Sequence, residues 1–235
     1  MYVPVYYVLL QDKKESTYSR AVQACMAATD NKMKATTFTC DFEMAIINVF
    51  RHLFPDGAPV LCLFHWKQAI RRKLLELGIP QERVTALIGT NGVMNVLTVC
   101  PVSEIESKGI PYCRAGFDES GHEEAFSKFW SYFVTTWLRR YNPNTWNIHA
   151  IAAETSNVTL INRTNNPLER FNRTLNDSFS SPHPNMTAFV AAIRQISEGY
   201  VYDLDRIAKG TMNAGYHAPA NVYPIPDSYT EFDPK

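Results

Sequence analysis

Asp41 and Glu169 are the residues of this chain best placed for metal-dependent chemistry. Asp41 lies in Thr39-Cys40-Asp41-Phe42-Glu43, which closes an apolar β-like run. Glu169 lies in Arg163-Thr164-Asn165-Asn166-Pro167-Leu168-Glu169-Arg170-Phe171-Asn172, which opens a polar-faced helix far along the chain. A carboxylate at a strand end and another on a distant helix are what a phosphoryl-transfer site brings together, because hard divalent cations prefer oxygen ligands. A third carboxylate of such a set is not visible upstream of Asp41. Both residues also have ordinary readings. Asp between a strand and a helix is a favoured N-cap. With Asn166 as N-cap and Pro167 at the first helical position, Glu169 falls where a capping-box Glu sits. The helix is expected to bury Leu168, Phe171 and Leu175 and to leave Asn165, Glu169, Asn172 and Asn176 opposite. Asn around a lone Glu, rather than Lys and Glu, tilts that face toward a site, since Asn hydrogen-bonds phosphate readily. Arg163, Arg170 and Arg173 lie close by and can neutralise phosphates. Glu43 is expected to face solvent in a first helical turn, favoured by the helix dipole.

Cys62-x-x-His65 could begin a metal site, yet two ligands do not make a tetrahedral zinc centre and no second pair has matching spacing. A buried Cys followed by a helix-start His is the plainer reading. Lys67, Arg71, Arg72 and Lys73 form a basic stretch opposite the apolar face of their helix. It is a solvated face by default and, with Arg139 and Arg140, a phosphate track in the functional reading. Trp66, Trp130 and Trp137 fall on or beside apolar stripes and read as core, whereas Trp146, in a weaker segment, is the candidate for stacking on an unpaired base.

The elements that must position these groups follow from periodicity. Tyr2 to Leu10, dense in Val and Tyr, reads as a strand, and Tyr18, Val22, Cys25 and Thr29 follow at helical spacing. Ala35 to Cys40 is a second β-like run, followed by a helix with Phe42, Ile46, Val49, Phe50 and Leu53 on one stripe. Pro59 to Phe64 is a third strand candidate, and Trp66, Ile70, Leu74 and Leu77 mark the next helix, stopped by Gly78 and Pro80. Alternation at this rhythm predicts an α/β architecture with a largely parallel sheet. Beyond residue 65 the chain is mostly helical. Ser120-x-x-Glu123 reads as a capping box before a helix carrying Phe126, Phe129, Trp130, Phe133 and Trp137. A long helix from Met186 to Ile207 ends at Gly210. Residues 211–235, rich in Pro, Asn and Ala, are expected to be poorly ordered. The predicted organisation is a partial core over 1–64, a helical insertion over 65–162, core-returning helices over 163–210, and a tail.

The chain's 235 residues, 46% of them apolar, suffice for a sizeable core. Lys+Arg and Asp+Glu balance at 23 each, so any nucleic-acid contact must be made by local patches. Five widely spaced cysteines without a Cys-x-x-Cys pair predict reduced, buried thiols. The longest apolar run, Val3 to Leu10, is too short to span a bilayer, and no charged region precedes a signal-like segment.

Taken in order, Val3 to Leu10, Lys13-x-x-x-Thr17-Tyr18, Cys40-Asp41-Phe42-Glu43-x-Ala45, Cys62-x-x-His65-Trp66 and Thr164-Asn165-Asn166-x-x-Glu169-x-Phe171-Asn172 resemble the transposase domain of Mutator-like elements, from residue 2 to about residue 180. The resemblance implies an RNase H-like fold with a helical insertion before the helix bearing the last acidic residue. It implies DNA cutting and strand transfer by a three-carboxylate, two-metal site of the DDE type, using Mg²⁺ or Mn²⁺. Asp41 matches the second acidic position and Glu169 the third. The Cys62–His65 pair recurs at this place in the family, and the position of His65 after the third strand, near the expected carboxylates, suits a part in organising the site, with Asn165, Asn166 and Asn172, or in gripping DNA; the resemblance implies DNA as partner in the nucleus. The first Asp would lie on an opening strand upstream of this segment, so the expectation is an incomplete core, non-catalytic as given, with an exposed edge that favours self-association. The alternative is a domesticated, transposase-derived DNA-binding or regulatory protein; a decayed copy is a third reading.

Overall fold

The computed structural model describes residues 3–117, 119–149, 166–179, 183–214 and 223–234. The chain is a mixed α/β protein, mostly helical, with a small parallel sheet of two strands among the described residues. Strands β1 (Thr37–Cys40) and β2 (Ala58–Leu61) pair with Thr37 opposite Ala58 and Cys40 opposite Leu61. Parallel neighbours need a crossover, which helix α2 (Met44–Leu53) supplies. The period of two along β1 buries Phe38 and Cys40, and these close a small core with Ile47 of α2 and Leu61 of β2. Helix α1 (Glu15–Ala28) lies beside α2.

Helix α3 (Leu63–Glu76) starts directly after β2 and turns Trp66, Ile70 and Leu74, all fully buried, into a second and larger core. Helix α4 (Gln81–Ile88), a 3₁₀ stretch at Val93–Thr98, α5 (Ile110–Ala115) and α6 (Glu123–Phe133) complete that core, with α6 running on through a π-helical segment at Val134–Arg140. Its stripe of Phe126, Phe129, Trp130, Phe133 and Trp137 is buried as the periodicity predicts. Helices α7 (Asn166–Asp177) and α8 (Met186–Ala208) pack on each other. Asn185 caps α8 by accepting from the Ala188 amide at 2.9 Å. Gly210, at φ +69°, ends it in a Schellman motif in which Thr211 N donates to Arg206 O at 2.9 Å. No single described helix is long and apolar enough to cross a membrane.

Four sequence expectations are corrected. Residues 3–10 form no strand: Val5, Val8 and Leu9 are exposed, and the segment lies against α7 and α8, where Tyr7 meets Phe171 at 5.6 Å and accepts a hydrogen bond from Ser197 at 3.2 Å. High β propensity produces a strand only where a neighbour supplies backbone partners, and the packing here is by side chains onto helices. Leu168, expected in the α7 core, is exposed, while Phe171 and Leu175 face inward. The helix expected to be capped at Ser120 begins at Glu123 with His122 as its N-cap, so Ser120 stands two residues before the cap position. Of the tail expected to be poorly ordered, residues 215–222 lie outside the described residues, but 223–234 contribute to the core. Helix α9 (Asp227–Thr230) buries Tyr229, whose ring meets Tyr112 edge-on at 5.2 Å and whose hydroxyl donates to Glu104 at 2.9 Å. Aromatic anchors outweigh the Pro-rich composition there.

Candidate metal centre

Because β1 and β2 are parallel and in register, their carboxyl ends finish side by side, and the residues that follow must meet. Cys62 N donates to Cys40 O at 3.0 Å, extending the ladder one step past the strands. Asp41 follows β1, Cys62 follows β2, and His65 lies three residues on, in the first turn of α3. One ligand atom from each of Asp41, Cys62 and His65 lies within 4.8 Å of the others. This edge, outside the carboxyl ends of parallel strands, is where open α/β sheets bind ligands.

Asp41 is not an N-cap. The N-cap of α2 is Glu43, in extended conformation and without a capping bond of its own side chain. Asp41 stands two residues earlier, its side chain 55% exposed, with one carboxylate oxygen 3.0 Å from His65 Nδ1. That Nδ1 is buried and makes no aligned hydrogen bond, so the pair is a close contact and not a directed bond. Cys62 is fully buried at the start of α3. Neighbouring Cys40 is no thiolate donor, because burial first and the Asp41 charge second push its thiol up to about 12.

The loop that carries Asp41 is held from both sides. Phe42 packs edge-on against Trp137 at 4.9 Å and Tyr141 at 5.2 Å, and Tyr141 donates its hydroxyl to Phe42 O at 3.0 Å. Glu43 does not face solvent as expected. It accepts the Tyr18 hydroxyl at 2.9 Å and lies 3.4 Å from Lys13 Nζ, tying α1 to the loop. Burial first, then the hydrogen bond to Glu43, raises the Tyr18 pKa. Tyr18 and Thr17 belonged to a sequence motif, but Tyr141 was missed: its contact with Phe42 bridges the helical part and the sheet, and no local pattern announces it.

The other candidate residues are distributed as follows. Glu169 is half-buried on α7 and is not in the Asp41 group, and Asn172 is exposed on the same helix. Asn166 opens α7, while Arg163 and Asn165 lie outside the described residues. Arg71, Arg72, Arg170 and Arg173 are exposed, whereas Lys67 is half-buried with Nζ 3.4 Å from Gly89 O. Trp146 is not available to a base. It is 2% exposed, stacked on Trp66 at 5.6 Å, and its indole N–H donates to Trp137 O at 3.0 Å. The aromatic cluster buries it because burying a large ring outweighs the polarity of its flanking segment.

Residues 1–69 match the family model of the MULE transposase domain. The matched MULE segment spans α1, both strands, α2 and the first turns of α3, and it takes in Asp41, Cys62 and His65. Glu169 lies beyond it. Comparison with curated proteins and with solved structures gives no match.

Proposed function

We propose that this chain is part of the catalytic domain of a Mutator-like transposase, an RNase H-like nuclease and strand-transfer unit that acts on DNA in the nucleus. The observation that carries the reading is the position of Asp41. Within the stretch similar to the MULE domain, its exposed carboxylate projects from the carboxyl end of β1 beside His65 and Cys62. Of the three donors only Asp41 suits Mg²⁺ or Mn²⁺, since its oxygens suit a hard cation and its exposure leaves room for water and substrate oxygens, whereas the Cys62 thiol and His65 imidazole are softer ligands. Glu169 is the proposed second carboxylate. When bound, such an ion lowers the pKa of an attacking water or 3′-hydroxyl and neutralises charge at the phosphoryl group.

In this reading His65 borders the Asp41 carboxylate, its Nδ1 3.0 Å from one carboxylate oxygen. Buried Cys62 fixes the start of α3, and with it the place of His65. Tyr141 and Tyr18 hold the two residues that follow Asp41. Arg71, Arg72, Arg170 and Arg173 are exposed cations for the DNA backbone.

The test is a Mn²⁺ titration followed by electron paramagnetic resonance on the whole chain. Free Mn²⁺ signal should be depleted by the wild type, with Asp41→Asn and Glu169→Gln each weakening binding about tenfold or more. Equal depletion by all three proteins would overturn the assignment of the carboxylates.

A further inference from the structure

A second feature sits at the same end of the sheet. Helix α2 turns Met44, Ile47 and Arg51, spaced along one face, toward the stretch that ends α6 and continues to residue 145, and between them is a cavity of about 370 Å³. Arg51, Arg139 and Arg140 line it together with Asn142, and no carboxylate does among the described residues. The three guanidiniums are not equivalent. Arg139 is already neutralised, donating twice to the Glu106 carboxylate at 2.9 and 3.0 Å. Arg51 and Arg140 are exposed and pair with no carboxylate among the described residues; Arg140 only lies over the Tyr141 ring, 5.7 Å from its centre. Two guanidiniums lining one open cavity, with no carboxylate among its described lining residues, favour an anion there. Tyr141 borders this cavity and also bonds the backbone beside Asp41, so cavity and carboxylate share one wall.

We propose that this cavity is a phosphate site, taking a phosphodiester group of the DNA backbone through Arg51 and Arg140 and so setting the register of the strand presented to Asp41. The proposal rests on the transposase reading for the identity of its ligand. Guanidinium pairs suit it because each can fork onto two phosphate oxygens. A backbone phosphate contacted here fixes position without reading sequence.

The test is duplex DNA binding by the whole chain, measured by fluorescence anisotropy across a range of salt concentrations, with inorganic phosphate as competitor. The proteins are the wild type, Arg51→Gln/Arg140→Gln and Arg51→Lys/Arg140→Lys. Each phosphate neutralised contributes about 0.9 to the slope of log affinity against log salt, so the glutamine pair, which removes both donors to one phosphate, should flatten the slope by about 0.9. The lysine pair should keep it. Both arginines are exposed, so the variants should melt like the wild type. An unchanged slope in the glutamine pair overturns the phosphate site and leaves the transposase reading intact. A wild type that binds no DNA also overturns it, while Mn²⁺ binding at Asp41 judges the other reading separately. Competition by millimolar phosphate with an unchanged DNA slope would mean a free-anion site, which likewise contradicts a DNA contact.

Discussion

Replacing Trp146 separates a structural tryptophan from a base-stacking one. Its ring is 2% exposed, lies 5.6 Å from Trp66 and 6.2 Å from Phe133, and donates its N–H to Trp137 O at 3.0 Å. Truncation to alanine removes a fully packed bicyclic ring from a core that cannot close over it, a change that costs about 3–5 kcal/mol. Phenylalanine restores much of the ring but leaves the Trp137 carbonyl without its donor in a dry setting, for about 1–3 kcal/mol. Trp146→Ala should therefore lower the urea midpoint severely and Trp146→Phe by an intermediate amount. A surface tryptophan would behave otherwise. Its removal would shift stability by no more than about 0.5 kcal/mol and would weaken single-stranded DNA binding by about 1–3 kcal/mol. An unshifted midpoint in Trp146→Ala, together with a loss of single-strand affinity, would refute the core placement.

Two further outcomes follow from the groups around Asp41. The Cys40 thiol is pushed from an ordinary 9.0 up to about 12, so in the unfolded chain it ionises first. Its stabilising contribution is complete below pH 9 and declines as pH rises toward 12, by at most about 1.4 kcal/mol per pH unit. Denaturation curves for Cys40→Ala between pH 8 and 11 should decline less steeply than those of the wild type, and parallel curves would contradict this. Tyr18→Phe removes the hydroxyl that bonds Glu43 at 2.9 Å and should cost about 1 kcal/mol in a thermal melt. An unaltered melting temperature would mean that α1 does not secure the Asp41 loop.

The helix–strand alternation over residues 35–76 was legible because each element there is locally consistent. Apolar residues recur at two for β1 and near 3.6 for α2 and α3, with Phe54-Pro55-Asp56-Gly57 as a clear break. The juxtaposition of Asp41 with Cys62 was legible only in outline, since it depends on the register of a parallel pair. Where local rules misled, a distant partner decided. Asp41 lost its capping role because Phe42 is drawn toward Trp137 and Tyr141, which delays α2 until Met44. Val3 to Leu10 has strand composition but packs by its side chains on α7 and α8. Tyr229 is buried by Tyr112 and Glu104, more than a hundred residues earlier, and no composition rule could see that contact. Arg140 was legible as part of a phosphate track, but Arg51 carried no signal until the fold placed both on one cavity.

The most direct test of a cation shared by Asp41 and Glu169 uses the metal as a cutter. Fe²⁺ loaded in place of Mg²⁺, with ascorbate and peroxide, generates hydroxyl radicals that cleave the backbone next to the ion, and mass spectrometry maps the cuts. Cleavage around Cys40–Glu43, around Cys62–His65 and in α7 near Glu169, suppressed by excess Mg²⁺ and lost in Asp41→Asn, is the predicted result. Cuts confined to the first two segments, or persisting in Asp41→Asn, would contradict a shared two-carboxylate site.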